Sequence, residues 1–276
     1  MSAAVRWAEL SWPEIEGLLA ANPNEVGLLP VGATEQHGPH LPTGTDTILA
    51  TAICEAASER TSAPVLPALA VGCSYGHGTV LPGTLSLTPE QLADAVRQVV
   101  EWAALSGLRK VLVVNGHLGN QAAIGVGTDH LRLWRTDLQV GVTSWWSADE
   151  ALAAEVFTDG EDVHANRAET SLMLAVAPHL VHLDLLPDAD DPDRTGDLVF
   201  RYTARELSTN GVTGRPSEAD ADLGRRLLEA AVTAVADRVV RGRAEVPPLA
   251  PAAIADGGRL LAARHLQAAG TKVVAP

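Results

Sequence analysis

Short apolar runs alternate along the chain with longer stretches of helical periodicity. The runs at 26–31 (VGLLPV), 63–69 (APVLPAL), 110–114 (KVLVV) and 138–143 (LQVGVT) are bounded by turn residues and read as strands. The run at 110–114 shows no polar alternation, as expected of a strand buried on both faces of a parallel sheet. Between and after these runs, apolar spacing predicts helices over 8–22, 47–60, 88–106, 121–135, 164–177 and 217–241. Thr88-Pro89-Glu90 supplies a cap and a first-turn proline, and Gly107 supplies a stop. Residues 71–84 are Gly-rich and irregular, and 147–162 are acidic and loop-like. Residues 184–215 are polar and rich in Asp, Pro and Gly, an excursion over the surface. Strands alternating with helices predict an α/β fold with a mainly parallel central sheet covered on both faces. A single domain over 1–245 and an Ala/Pro-rich tail over 246–276 follow, with no internal repeat.

Composition narrows the function. The chain has 276 residues, 46% hydrophobic, enough for a full core. Its net charge of -14, from 20 Lys+Arg and 34 Asp+Glu, disfavours nucleic acid and anionic membranes. No apolar stretch reaches the roughly 18 residues of a membrane span, and the first residues do not read as a signal peptide. Cys54 and Cys73 lack C-x-x-C partners, so a reduced, cytoplasmic setting is expected.

The chemistry gathers in loops after predicted strands. Thr34 to Asp46 reads T-E-Q-H-G-P-H-L-P-T-G-T-D and offers Glu35, His37, His40 and Asp46 directly after the 26–31 strand. Open α/β sheets place ligand sites at the carboxyl ends of their strands, and mixed imidazole and carboxylate donors suit zinc, manganese or iron. One residue separates Glu35 from His37, so an extended chain points both the same way. The loop N-G-H-L-G-N adds His117 after the 110–114 strand, and H-A-N-R-A-E-T-S adds His164 and Glu169. Each residue alone has an ordinary reading: Asp46 as a helix cap, and Asn115, Gly116 and Asn120 as turn chemistry. Five candidate ligands on one side of the sheet are harder to explain as core, because buried charges need partners or metals. His40 and His77 are readable either way, and His130, His179, His182 and His265 read as structural or solvated.

Taken in order, T-E-Q-H-G-P-H-L-P-x-x-T-D, P-G-T-L-S-L, N-G-H-x-G-N and H-A-x-x-x-E-T-S resemble the creatininase (creatinine amidohydrolase) family over 26 to 183. That family also includes formamide deformylases and the peptidase of mycofactocin maturation. The resemblance implies a three-layer α/β/α sandwich and a homo-oligomer, hexameric in creatininase. It implies two divalent ions per chain, zinc first, with manganese or iron as alternatives. Glu35 and His117 would hold one ion and His37 the other, with Asp46 bridging and Glu169 completing the second site. His164 would act as proton carrier to the leaving nitrogen, the role favoured over that of a metal ligand. Trp146 matches an aromatic of the substrate pocket, and Ser74, His77 and Gly116 are further candidate substrate contacts. Thr34, Asn115 and Asn120 are candidates to orient the ligands. Two departures stand out: Gly119 replaces a ligand glutamate of creatininase, and Gly160 replaces a second pocket tryptophan. The expected activity is metal-assisted hydrolysis of a non-peptide or cyclic C–N amide bond in a small molecule. A peptidase or deformylase on the same site is the alternative, and a non-catalytic metal scaffold is the weakest reading.

Overall fold

The computed structural model describes residues 3–78 and 81–248. Five parallel strands form the central sheet: β1 (Val5–Arg6), β2 (Val26–Val31), β3 (Pro64–Val65), β4 (Lys110–Asn115) and β5 (Gln139–Ser144). Their order is β1-β3-β2-β4-β5. Helices cover both faces, giving the α/β sandwich expected from the alternation. Strand parity divides the core. Leu28, Leu112 and Val114 point to one face, where α2 (Thr45–Thr61), α6 (Arg167–Val176) and α8 (Ala221–Ala244) pack. Leu29, Val31, Val111 and Val113 point to the other, against α1 (Trp12–Ala21), α3 (Pro89–Leu105) and α4 (Gln121–Trp134).

Local chemistry sets the helix ends. Thr88 and Gln91 form a reciprocal capping box at the start of α3. At its end Leu108 N–H donates to the Ala103 carbonyl and Gly107 N–H to that of Ala104, with Gly107 at φ 111°, a Schellman stop.

Four expectations are corrected. The strand expected over 63–69 is only Pro64–Val65. Leu28 and Pro30 turn their carbonyls to this side of β2, accepting from Leu66 and Leu69 N–H. Pro30 has no N–H to offer in return, so the ladder is interrupted there and resumes only as an isolated bridge between Val31 and Leu69. The acidic stretch 147–162 contains a helix, α5 (Glu150–Val156), because Asp149 accepts from Ala151 and Leu152 N–H as its cap. Asp46 lies inside the first turn of α2, whose cap position is Gly44. The final helix begins at Ala221, where Asp220 caps it, and runs to Ala244. The excursion at 184–215 holds only short turns and α7 (Ala204–Leu207). It returns to the sheet's carboxyl side, where Thr213 N–H donates to the His164 carbonyl at 2.9 Å. The expected tail over 246–276 lies outside the described residues beyond 248.

Candidate metal centre

The chain passes from β2 to β3 on one side and then to β4 on the other, so strand order reverses between β2 and β4. Ligand clefts of open α/β sheets form at such switch points. Val31 and Asn115, the last residues of β2 and β4, are in register, so both following loops leave at one level. The first delivers Glu35 and His37 and runs into α2, whose first turn carries Asp46. The second delivers His117. His164 and Glu169 come from the entry to α6, where Asn166 caps the helix by accepting from Glu169 N–H.

These six residues, each at most 7% exposed, converge. His117 Nε2 lies 3.2 Å from Glu35 Oε2, and its Nδ1 lies 3.5 Å from Asp46 Oδ2. His37 Nε2 lies 3.3 Å from Asp46 Oδ1 and 4.0 Å from Glu169 Oε2. His164 Nδ1 lies 3.4 Å from Glu35 Oε1. Among the described residues, three triads have ligand atoms close enough to share an ion: Glu35-Asp46-His117, His37-Asp46-Glu169 and Glu35-His37-His164. Asp46 belongs to the first two. Both Glu35 oxygens, Asp46 Oδ2 and His37 Nε2 are buried without a hydrogen-bond partner. Unpartnered buried acceptors are costly, and a divalent cation is the partner that such a donor set fits. The outer bonds orient the rings. His37 Nδ1–H donates to the Glu35 carbonyl at 3.1 Å, freeing Nε2 toward Asp46. His117 Nε2 lies 3.2 Å from the Cys73 carbonyl.

Burial dominates the electrostatics. It raises the carboxyls of Glu35 and Asp46, and it raises Glu169 to about 8, with nearby Asp46 adding to the effect. It lowers His117 to about 3, His77 and His40 to about 4, and His164 well below its ordinary value. The acidic run before His164 therefore does not charge that ring. By itself the site favours protonated Glu35, Asp46 and Glu169 and neutral His117 and His164, and cation binding would expel the carboxyl protons.

The sequence matches the creatininase family, described as creatinine amidohydrolase, over residues 8–239. The chain belongs to the creatininase family. It is 35% identical to the creatinine amidohydrolase of Pseudomonas putida over 263 residues, 90% of this chain and all of that one. It is 33% identical to the mycofactocin precursor peptide peptidase of Mycolicibacterium smegmatis over 227 residues, 78% of this chain and 84% of that one. A crystal structure of creatininase superposes with TM-score 0.78 at 34% identity, over 89% of this chain and 100% of that one. A mutant creatininase described as Zn-Zn type (TM-score 0.77, 35% identity, 90% and 100% covered) and a Mn creatininase (0.76, 33%, 89% and 100%) are also similar.

The two positions at which the sequence departs from the creatininase pattern are both tightly packed. A Cβ at Gly119 would meet the Cys73 carbonyl and His117 Nε2, each at 2.4 Å, so no side chain fits there with His117 as placed. A Cβ at Gly160 would meet Asp193 Cβ at 2.9 Å, because the excursion packs where a pocket tryptophan is expected. Trp146 is corrected: it is buried in the core beside α2, α6 and α8, edge-on to Trp145, and does not line the cleft. Ser74 and Gly116 also stay out of the cleft. Ser74 Oγ lies 3.5 Å from His117 Nε2, and Gly116 lets β4 pass against Asp46, whose carbonyl a Cβ would meet at 2.5 Å. His77 does line it, with His117 and His164.

The three residues expected to orient ligands hold backbone rather than ligand side chains. Thr34 donates to the Ala70 carbonyl, and Asn115 accepts from His117 N–H. Asn120 ties Gly32 to Cys73. His40 is a core histidine on Thr170, and among the described residues His130, His179 and His182 lie outside the cluster. His265 lies outside the described residues. The cleft, about 550 Å³, has an outer wall that the sequence did not signal: Leu198, Phe200, Arg201 and Tyr202 of the excursion.

Proposed function

We propose that this chain is a dinuclear-metal-dependent hydrolase that cleaves a C–N amide bond outside the peptide backbone. The observation that carries the reading is the pair of triads joined at Asp46 beneath an open cleft, with four ligand atoms left unpartnered. Glu35 and His117 would hold one ion, His37 and Glu169 the other, and Asp46 both. Zinc is the first candidate, with manganese or iron as alternatives. When bound, such a pair supplies Lewis acidity that polarises a carbonyl and acidifies water. The protein's own groups do the rest. His164 lines the cleft with a neutral ring beside Glu35, suited to carrying a proton to a poor amide leaving group. The His37 and His117 rings are held by the Glu35 and Cys73 carbonyls, so the ligands are preorganised.

The cleft wall favours a substrate larger than creatinine. Trp146 is sunk in the core, and the outer wall is Leu198, Phe200, Arg201 and Tyr202 of the excursion. That open shape equally suits the second reading, a peptidase or deformylase on the same metals. We place the enzyme in the cytoplasm as a homo-oligomer, on the family resemblance and the composition. Among the described residues no helix is long and apolar enough to cross a membrane.

The test is metal analysis of protein purified without chelator, joined to a screen of lactams, hydantoins, creatinine, formamides and short peptides. Two ions per chain and chelator-sensitive hydrolysis are expected, and Asp46→Ala should lose both ions together with activity. A stoichiometry near zero after supplementation, or full activity in Asp46→Ala, overturns the reading.

A further inference from the structure

Gln36 stands between Glu35 and His37, and its side chain turns away from theirs. It is 4% exposed and contacts four groups. Gly38 N–H donates to its Oε1 at 3.0 Å, which fixes the oxygen end of the amide and therefore the nitrogen end. Its Nε2 lies 3.1 Å from the Gly211 carbonyl, 2.8 Å from His164 Nε2 and 3.1 Å from His77 Nδ1. An amide nitrogen only donates, through two hydrogens. A carbonyl only accepts, so Gly211 takes one hydrogen, and the two imidazoles share the other. A ring nitrogen facing an N–H must itself be bare, because two N–H groups would oppose each other. Each neutral ring then carries its proton on its other nitrogen: Nδ1 in His164 and Nε2 in His77. Those two nitrogens converge on one atom, Glu35 Oε1, at 3.4 and 3.8 Å.

We infer that Gln36 is a positioning residue that sets the tautomers of His77 and His164, holding both ring protons on the nitrogens that face Glu35. Two consequences follow. His164 Nδ1 carries a proton and has no lone pair for an ion, so the Glu35-His37-His164 triad is not a metal site and His164 stays free to move a proton. The bond to Gly211 also ties this arrangement to the excursion that forms the cleft's outer wall. The catalytic consequence rests on the hydrolase reading above, but the tautomers themselves do not.

The experiment is magic-angle-spinning NMR of the full chain labelled with 15N-histidine, metal-free and zinc-loaded, with signals assigned through His164→Gln and His77→Gln. Bare-nitrogen signals are expected at His164 Nε2 and His77 Nδ1 in both states. Gln36→Leu should mix the tautomers and lower kcat about 10- to 100-fold, with KM and metal content close to wild type. Gln36→Glu, which cannot donate, should move the His164 proton to Nε2. A wild-type protein with the His164 proton on Nε2, or a Gln36→Leu spectrum identical to wild type, overturns the inference. If Gln36→Leu does not fold, the wild-type spectrum decides alone. Correct tautomers in a protein that binds no metal would sink the hydrolase reading and leave this one standing.

Discussion

Glu169→Gln should stabilise the metal-free protein while crippling its metal site. Glu169 is buried on α6, and burial raises its carboxyl to about 8 from an ordinary 4.5. At pH 7 the folded chain therefore keeps a proton that the unfolded chain has released. Linkage makes this a cost of about 3 kcal/mol at pH 7, because each pH step of one between 4.5 and 7 contributes about 1.4 kcal/mol. The sign is fixed by the native state binding the extra proton. The cost is absent below 4.5, grows as pH rises and levels off above about 8. Glutamine has nearly the same shape, and its carbonyl oxygen can still accept from Ala165 N–H, as Glu169 Oε2 does at 2.6 Å. The variant loses only the ability to ionise.

The assay is thermal unfolding of stripped protein from pH 4 to pH 8. Wild type and variant should melt together near pH 4. At pH 7 the variant should lie higher by about 6–12 °C, from the usual 2–4 °C per kcal/mol for a domain of this size. Added zinc should reverse the order, because ligation stabilises the wild type by about 4.1 kcal/mol at 1,000 times Kd, more than its deficit. Equal melting at all pH values, or a variant less stable at pH 7 without metal, would refute the reasoning.

Gly119→Ala should displace His117, since its Cβ would meet His117 Nε2 at 2.4 Å, and should weaken metal binding about 10- to 100-fold in a competition titration. Unchanged affinity would mean that Cys73 and His117 have room to move. Asp191 pins the excursion by accepting from Arg194, Ser208 and Thr209. Burial pushes its carboxyl up, but those bonds prevail and hold it at about 2. Asp191→Ala should cost about 1–3 kcal/mol at pH 7 in a denaturant titration. The deficit should shrink as acid protonates the wild-type carboxyl, from an ordinary 3.8 down to about 2. A deficit independent of pH would locate the effect in packing.

The legible part of this molecule was the part written in local rules. β2 and β4 are uninterrupted apolar runs, α3 has its cap and stop in adjacent residues, and Glu35, His37 and His117 sit in loops whose composition betrays them, with Asp46 at the start of the helix that follows the first. Other features depended on partners distant in sequence. Pro67 signals a break after residue 66 locally, but the second cause, Pro30 with no N–H to offer, lies in another strand. Nothing in the residue types of T-E-Q-H marks Gln36, because its role comes from Gly211, His77 and His164. The tryptophan pair at 145 and 146 reads equally well as pocket wall or core, and only the packing of α2, α6 and α8 decides for the core. The excursion is polar in composition, so periodicity offers no reason to bring Phe200 and Tyr202 to the cleft. Two long-range ties do so: Ala204 N–H to the Gly76 carbonyl and Thr213 N–H to that of His164.

The division between sheet and excursion bears on how the substrate is to be found. Identities of 35% to a creatinine amidohydrolase and 33% to a peptidase do not discriminate between their reactions. The candidate ligands cannot discriminate either, since both proposed readings use the same set. They are held by strand ends and by the first turns of α2 and α6, packed elements that tolerate little change. The wall is held by a strap of backbone bonds and by Asp191, so its side chains can change without moving a ligand. Substrate choice should therefore follow Leu198, Phe200, Arg201 and Tyr202. Exchanging that segment among relatives, with the ligand residues untouched, is the change that should redirect specificity while metal content stays constant.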